Sequence, residues 1–141
     1  VSLLPVNVHD LLEDAVLRSA PHRRADLAIE SHCEADGFWV CDRELVTDCV
    51  VNAMQNALRF AQRKIRIEAA ISNDHLELTV ADDGPGFPAN LPAQSPGEHS
   101  GVGLYIARRI AHLHMRHDQC GQLKLENGGP LGGAIFRLIL P

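Results

Sequence analysis

Two neighbouring segments with strictly alternating hydrophobicity limit the folds open to this chain. Residues 64–71 read KIRIEAAI and residues 75–82 read HLELTVAD. Apolar residues recur at every second position of both segments: Ile65, Ile67, Ala69, Ile71, Leu76, Leu78 and Val80. This period predicts two strands, and the intervening Ser-Asn-Asp predicts a hairpin turn. The hairpin has one apolar face, which other elements must cover.

Three further segments have helical periodicity and can supply that cover. They are residues 8–19, 42–61 and 102–114, and Asp42 is a good N-cap for the second. Short strands are predicted in ADLAIES, GFWVC, GQLKLEN and GGAIFRLIL, which begin at residues 25, 37, 121 and 132. We therefore predict an α+β fold, a two-layer α/β sandwich in which about three helices cover one face of a mixed, mostly antiparallel sheet.

Size and charge narrow the functional classes. A chain of 141 residues fits a single domain over residues 1–141. The net charge of −5 argues against a nucleic-acid partner.

Four cysteines without a C-x-x-C spacing predict buried thiols in a reducing cytosol. No apolar run is long enough to predict membrane contact. Residues 88–100, with three prolines, predict an irregular loop.

The second helix carries a polar stripe. Asp48, Asn52, Asn56 and Arg59 follow each other at intervals of four, four and three, so their side chains share one face. Leu45 and Cys49 of this helix are expected to face the sheet. A solvated face would explain the stripe, but so would a site in which Asn56 gives an amide oxygen to Mg²⁺ and Arg59 meets phosphate charge.

The glycines around Asp82 suggest what such a site holds. In VADDGPGF, Gly84 and Gly86 permit positive φ and the close approach of a flat ring, and Asp82 can accept a hydrogen bond from an exocyclic amine. An ordinary turn would have the same composition. GVGL at 101–104 places two glycines at a helix start, where free N–H groups attract phosphate. Neither a P-loop nor a dinucleotide fingerprint is present in the sequence.

Taken in order, these motifs resemble the ATP-binding catalytic domain of sensor histidine kinases, in the superfamily shared with gyrase, Hsp90 and MutL. The similar segments are DRELVTDCVVNAMQNALRFA, VADDGPGF, GVGLYIARRI and GGAIFRLILP. The resemblance covers nearly the whole chain. It implies a Bergerat-type fold with ATP and Mg²⁺ as cofactors and a lid at about 88–100.

The resemblance also implies roles for individual residues. Asn52 and Asn56 would lie at the triphosphate with Asn56 as the metal ligand, Arg59 would contact phosphate and Phe60 would flank the base. Asp82 would bind the adenine amine beside Gly84 and Gly86. The residues expected around the phosphates are Gly101, Val102, Gly103 and Leu104.

The function implied is transfer of the γ-phosphoryl group to a histidine of a separate dimerisation domain, which this chain lacks, in two-component signal transduction. The expected partners are that domain and a response regulator. The chain itself is expected to be a cytoplasmic monomer that does not autophosphorylate alone, and its parent a homodimer that could be an inner-membrane sensor. A degenerate regulatory module with the same fold is the alternative. An ATPase or a serine kinase of the same superfamily is disfavoured, because Asn52 stands where the ATPases carry a glutamate that acts as a base toward water.

Some features depart from the family pattern. The lid lacks a phenylalanine-bearing box, and MRHDQC at 115–120 is an insertion relative to a tight His-Gly-Gly turn. His9 precedes an acidic residue but lies where the catalytic domain begins, so it is not expected to be the phosphoacceptor. His112, His114 and His117 predict a polar helix end and no metal site.

Overall fold

The structure is a computed structural model that describes residues 1–22, 24–88 and 101–141. Its helices are Val8–Arg18 (α1), Arg43–Phe60 (α2) and Gly101–Leu113 (α3), with a 3₁₀ turn at Ala20–His22. Its strands are Leu4–Asn7 (β1), Ala28–Cys33 (β2), Phe38–Cys41 (β3), Lys64–Ser72 (β4), His75–Asp82 (β5), Met115–Arg116 (β6), Gln119–Cys120 (β7), Gln122–Asn127 (β8) and Ala134–Leu140 (β9).

Five strands form the main sheet, in the order β2-β4-β5-β9-β8. Strand β2 runs parallel to β4, and the other neighbours are antiparallel. The hairpin β4–β5 turns through two residues, Asn73 and Asp74, which both have positive φ (52° and 61°). Ser72, the first residue of the predicted Ser-Asn-Asp turn, is instead the last residue of β4. The prediction of a mixed, mostly antiparallel sheet is confirmed.

The core lies between one face of this sheet and the three helices. Cross-strand pairs such as Leu76 with Leu140 and Leu78 with Leu138 place fully buried side chains opposite each other. Each such leucine contributes roughly 1.5–3 kcal/mol by leaving water. The other face carries ion pairs, including Glu30 with Lys64 (2.8 Å). The two-layer sandwich predicted from the alternating hairpin is therefore correct.

Helix α2 begins and ends where the sequence predicts. Asp42 is its N-cap, and the Asp42 carboxylate accepts hydrogen bonds from the backbone N–H groups of Leu45 (3.1 Å) and Ser2 (2.7 Å). The helix ends at Phe60 because Ala61 is extended, with ψ at 143°. Cys49 lies in the core and Leu45 packs against it, and both residues also line a groove between α2 and α3.

Two short sheets were not predicted. Strand β1 pairs with β3, so the strand predicted at 37–41 is confirmed but stands apart from the main sheet. The MRHDQC segment forms the hairpin β6–β7, turning at His117 and Asp118, both with positive φ (50° and 64°). This segment is therefore a small, regular hairpin after α3.

The cysteine prediction is half right. Cys41 and Cys49 are buried, and burial raises the pKa of their thiols to about 11 and about 12. Cys120 is exposed and Cys33 is half-buried, so these two are not buried thiols. Across the described ranges, no helix is both long and apolar enough to cross a bilayer.

Candidate functional site

The turn after β5 is built around the side chain of Asp82. This residue is the last of its strand and only 5% exposed. Its Oδ1 accepts hydrogen bonds from the backbone N–H of Gly84 (2.8 Å) and of Ala134 (3.2 Å). Among the hydrogen bonds of the described residues, none uses Oδ2. One carboxylate oxygen therefore holds the turn and the other remains for a ligand that can donate a hydrogen bond.

The position of Asp82 explains its electrostatics. Its side chain is buried at the end of the central strand of the main sheet. Burial raises the pKa of the Asp82 carboxyl, the two backbone hydrogen bonds oppose this rise, and the neighbouring Asp83 charge adds to it. An amine that donates to Oδ2 would favour the charged form.

Gly84 and Asp83 attach this turn to the end of α2. A Cβ on Gly84 would lie within 3.0 Å of the carbonyl group of Phe60, so the two backbones pack directly against each other. The Asp83 carboxylate accepts from the backbone N–H groups of Gln62 (2.8 Å) and Arg63 (3.1 Å). Burial raises the pKa of Asp83, but these hydrogen bonds outweigh it and the pKa is lowered. The turn and Phe60 thus form one rigid corner.

Gly133 completes that corner, and sequence reasoning did not assign it a role. A Cβ at this position would lie within 3.0 Å of the Asp82 carbonyl oxygen, the Asp82 Oδ1 and the Gly84 nitrogen. The N–H of Gly133 donates to the Asp82 carbonyl (3.1 Å). The signal was available as the paired glycines that open the last strand, because glycine at a strand end often marks a close backbone approach.

The polar stripe of α2 is only partly assembled as predicted. Asn52, Asn56 and Phe60 are half-buried, whereas Arg59 is exposed with its guanidinium 5.4 Å from the Phe60 ring centroid. Within the described residues, no hydrogen bond engages either asparagine carboxamide. Asp48 does not continue the site, because its exposed carboxylate pairs with Arg18 of α1 (3.7 Å).

The start of α3 lies against the same stripe. A Cβ on Gly103 would approach the Oδ1 and Cγ of Asn52 to 2.8 and 3.0 Å, so a larger residue there would displace the Asn52 side chain. Helix α3 begins at Gly101, while the side chain of Val102 lies outside what the structure describes. The Leu104 side chain is 5% exposed and belongs to the core, so only its backbone is available to a ligand.

Together these contacts define a site with two ends along one helix. The Asp82 turn meets α2 at Phe60, and α3 meets it at Asn52, eight residues or about 12 Å earlier. One end offers a buried carboxylate and an aromatic ring. The other offers free amides and a helix N-terminus, which favours anions. An elongated ligand with a flat base and a charged tail fits this arrangement.

The remaining candidate residues lie elsewhere. The predicted lid falls at 89–100 outside the described residues, with only Pro88 inside them. His9 is exposed beside Glu13 (3.8 Å). The expectation of a polar helix end is wrong for His114, which is 2% exposed. Its Nε2 accepts from the Asp42 N–H, and its Nδ1 donates to the Ile110 carbonyl (both 2.9 Å).

Comparison with known proteins gives a consistent result. Residues 41–141 match the family described as histidine kinase-, DNA gyrase B-, and HSP90-like ATPase. The sensor protein kinase PmrB of Pseudomonas aeruginosa is 32% identical over 97% of this chain, and the two-component sensor PhoQ of the same organism is 32% identical over 69%. The chain spans 30% and 22% of the lengths of these two relatives.

Solved structures with the same fold cover the whole chain. The ATP-binding domain of PrrB from Mycobacterium tuberculosis is 27% identical with a TM-score of 0.78, and the aligned region covers 100% of this chain and 98% of that one. The catalytic domain of the histidine kinase ThkA has a TM-score of 0.81 at 22% identity, over 100% and 97% of the two chains.

Proposed function

This chain belongs to the histidine kinase-, DNA gyrase B-, and HSP90-like ATPase family, as an ATP-binding catalytic domain of a sensor histidine kinase, and we propose that it binds Mg-ATP and donates the γ-phosphoryl group to a histidine of a separate dimerisation domain. The observation that carries this proposal is the two-ended site along α2. The Asp82 corner at Phe60 suits adenine, and the junction of Asn52 with Gly103 suits the triphosphate.

The adenine end selects its ligand through Asp82. Because Oδ1 is occupied by two backbone N–H groups, the carboxylate is held in one orientation and its other oxygen faces a fixed direction. Adenine can donate to that oxygen from the amine at its C6 position, whereas guanine has a carbonyl at C6, which would meet a negative charge. The site therefore favours adenine over guanine.

The triphosphate end has donors that suit a hard cation and phosphate. Asn56 is half-buried, and its carboxamide makes no hydrogen bond within the described residues, so its oxygen is available to Mg²⁺. Bound Mg²⁺ would neutralise phosphate charge during transfer. Asn52 and Arg59 would orient the phosphates from either side of Asn56.

The same residues favour phosphoryl transfer to an acceptor over hydrolysis. Hydrolysis needs a base to take a proton from water, and the carboxamide of Asn52 cannot accept that proton at neutral pH. This domain would therefore hold ATP until an external histidine approaches. In the whole protein, that histidine would belong to the dimerisation domain, and a response regulator would receive the phosphoryl group.

Calorimetric titration with a non-hydrolysable ATP analogue, with and without Mg²⁺, tests the proposal. We expect saturable binding that strengthens with Mg²⁺, and loss of that strengthening in Asn56→Ala. Asp82→Asn keeps an oxygen that can accept the two backbone hydrogen bonds, so the variant should remain folded. It puts an uncharged amide NH2 in place of the second carboxylate oxygen, so the variant should lose its selectivity for adenine. A longer protein that includes the acceptor helix should autophosphorylate. Absence of binding by the wild-type chain would refute the proposal and favour a non-catalytic regulatory module.

A further inference from the structure

Asn127, the last residue of β8, makes two hydrogen bonds to a residue 40 positions earlier in the chain. Its Oδ1 accepts from the backbone N–H of Phe87 (2.7 Å), and its Nδ2 donates to the Phe87 carbonyl (2.9 Å). A carboxamide has the same donor and acceptor as a peptide group, so this pair imitates one rung of an antiparallel ladder. In the described part of the chain, both backbone hydrogen bonds of Phe87 go to Asn127.

The carboxamide also occupies the space above Gly86. A Cβ on Gly86 would lie 2.7 Å from the Oδ1 and 2.9 Å from the Cγ of Asn127. Gly86 has a φ of +87°, which by itself favours glycine. Gly86, the second glycine of VADDGPGF, is therefore required for two separate physical reasons, and one of them is the position of Asn127.

Asn127 is itself fixed to the other side of the corner that the Asp82 turn forms with Phe60, hereafter the adenine corner. It pairs in register with Ala134, whose N–H donates to the Oδ1 of Asp82. The connection between β8 and β9 is closed by the hydrogen bond from the Gly128 N–H to the Gly133 carbonyl (2.8 Å). A continuous path thus runs from Asp82 through Ala134 and Asn127 to Phe87.

From this path we propose that Asn127 is a positioning residue for the nucleotide site. It holds the backbone that leaves the glycine turn, so that the turn keeps its binding geometry before ATP arrives. The half-buried Phe87 ring packs against the core, and this packing also holds the segment in place. This role rests on the proposed function, because it concerns the adenine end of that site.

Affinities for adenosine and ATP, measured by calorimetry on the wild-type chain, Asn127→Ala and Asn127→Asp, test the role. We expect both variants to bind both ligands about tenfold more weakly, because the affected backbone is at the base end of the site. Asn127→Ala loses both hydrogen bonds to Phe87, whereas Asn127→Asp keeps the acceptor and loses the donor. Asn127→Asp keeps the side-chain shape but faces the Phe87 carbonyl with an anionic oxygen, so a loss there reflects hydrogen bonding and not packing.

Leu125→Ala is the matched control. Leu125 lies on the same strand, is half-buried and packs against the core, so its truncation lowers stability without touching the turn. The fluorescence of Trp39, the only tryptophan, reports that each variant is folded at the titration temperature. A purely structural role for Asn127 would lower the melting temperature and leave the affinities of the folded protein unchanged, as we expect for Leu125→Ala.

The possible failures are distinguishable. If the wild-type chain binds ATP and both Asn127 variants bind as tightly, the positioning role is wrong while the proposed function stands. If the affinity losses only follow the losses in melting temperature across all three variants, the role is again wrong. If the wild-type chain binds neither ligand, the proposed function fails and the role of Asn127 with it.

Discussion

Replacing Gly133 by alanine should displace the corner formed by the Asp82 turn and Phe60. The new Cβ would lie 2.5 Å from the Asp82 carbonyl oxygen and 2.6 Å from both the Asp82 Oδ1 and the Gly84 nitrogen. Ordinary contact begins at 3.4 Å, so one of the two segments must move by about 0.9 Å. Two of the three atoms are backbone, and no side-chain rotation can relieve them.

The cost follows from overpacking and from lost hydrogen bonds. Inserting a methyl group into a packed region costs about 1–3 kcal/mol. The displacement also strains the bonds from Gly133 and Ala134 to Asp82, each contributing about 1 kcal/mol. We expect a total loss near 3 kcal/mol in the free energy of unfolding. That leaves a typical domain folded but moves Asp82 away from its ligand.

Gly132→Ala is the matched control because it changes the adjacent residue by the same group. A Cβ on Gly132 would have no atom within 4 Å, but the residue has a φ of +85°. Its cost is therefore backbone strain alone, about 1–2 kcal/mol. The corner itself is not displaced, so nucleotide affinity should remain within about twofold of the wild-type value.

Urea denaturation and calorimetric titration with an ATP analogue measure both effects. The expected result is a larger stability loss for Gly133→Ala than for Gly132→Ala, and at least a tenfold loss of affinity in Gly133→Ala only. Wild-type affinity in Gly133→Ala would refute the reasoning, because it would mean that the close approach of β9 does not set the position of Asp82.

Two other contacts give independent predictions. Asp83→Ala should lower the free energy of unfolding by about 2 kcal/mol at pH 7, since it removes the acceptor for Gln62 and Arg63. The pKa of Asp83 is lowered on folding, so this difference from wild type should shrink as the pH falls below about 4 in urea denaturation, and a pH-independent difference would contradict it. Gly103→Ala should leave stability unchanged or raise it by up to about 1 kcal/mol, because alanine favours helix, but displace the Asn52 side chain. Titration should then show weaker binding of ATP and unchanged binding of adenosine. Equal losses of affinity for both ligands would contradict the assignment of Asn52 to the triphosphate end of the site.

Local patterns in the sequence determined the three helices, the strands of the main sheet and the layer arrangement. The period of two in 64–82 requires one covered face, and the N-cap of Asp42 with the uninterrupted run after it requires a long helix. These are properties of neighbouring residues, so they can be read without the fold. Asn52 and Asn56 could be predicted as site residues for the same reason, because helix geometry places them on one face of α2. Asp82 could be predicted because it ends a strand beside a glycine turn.

The site itself depends on contacts between segments that are far apart in sequence. Asp82 could be named as a ligand, but its burial and its bond to Ala134 exist only because β9 pairs beside β5. The structural importance of Gly133 and Asn127 has the same origin: each lies 40 or more residues from the turn it supports. The hydrophobic periodicity of a single helix or strand carries no information about contacts between residues so far apart in the sequence. The candidate binding residues could therefore be predicted from sequence, whereas their orientation, protonation tendency and support were decided by the packing of the sheet.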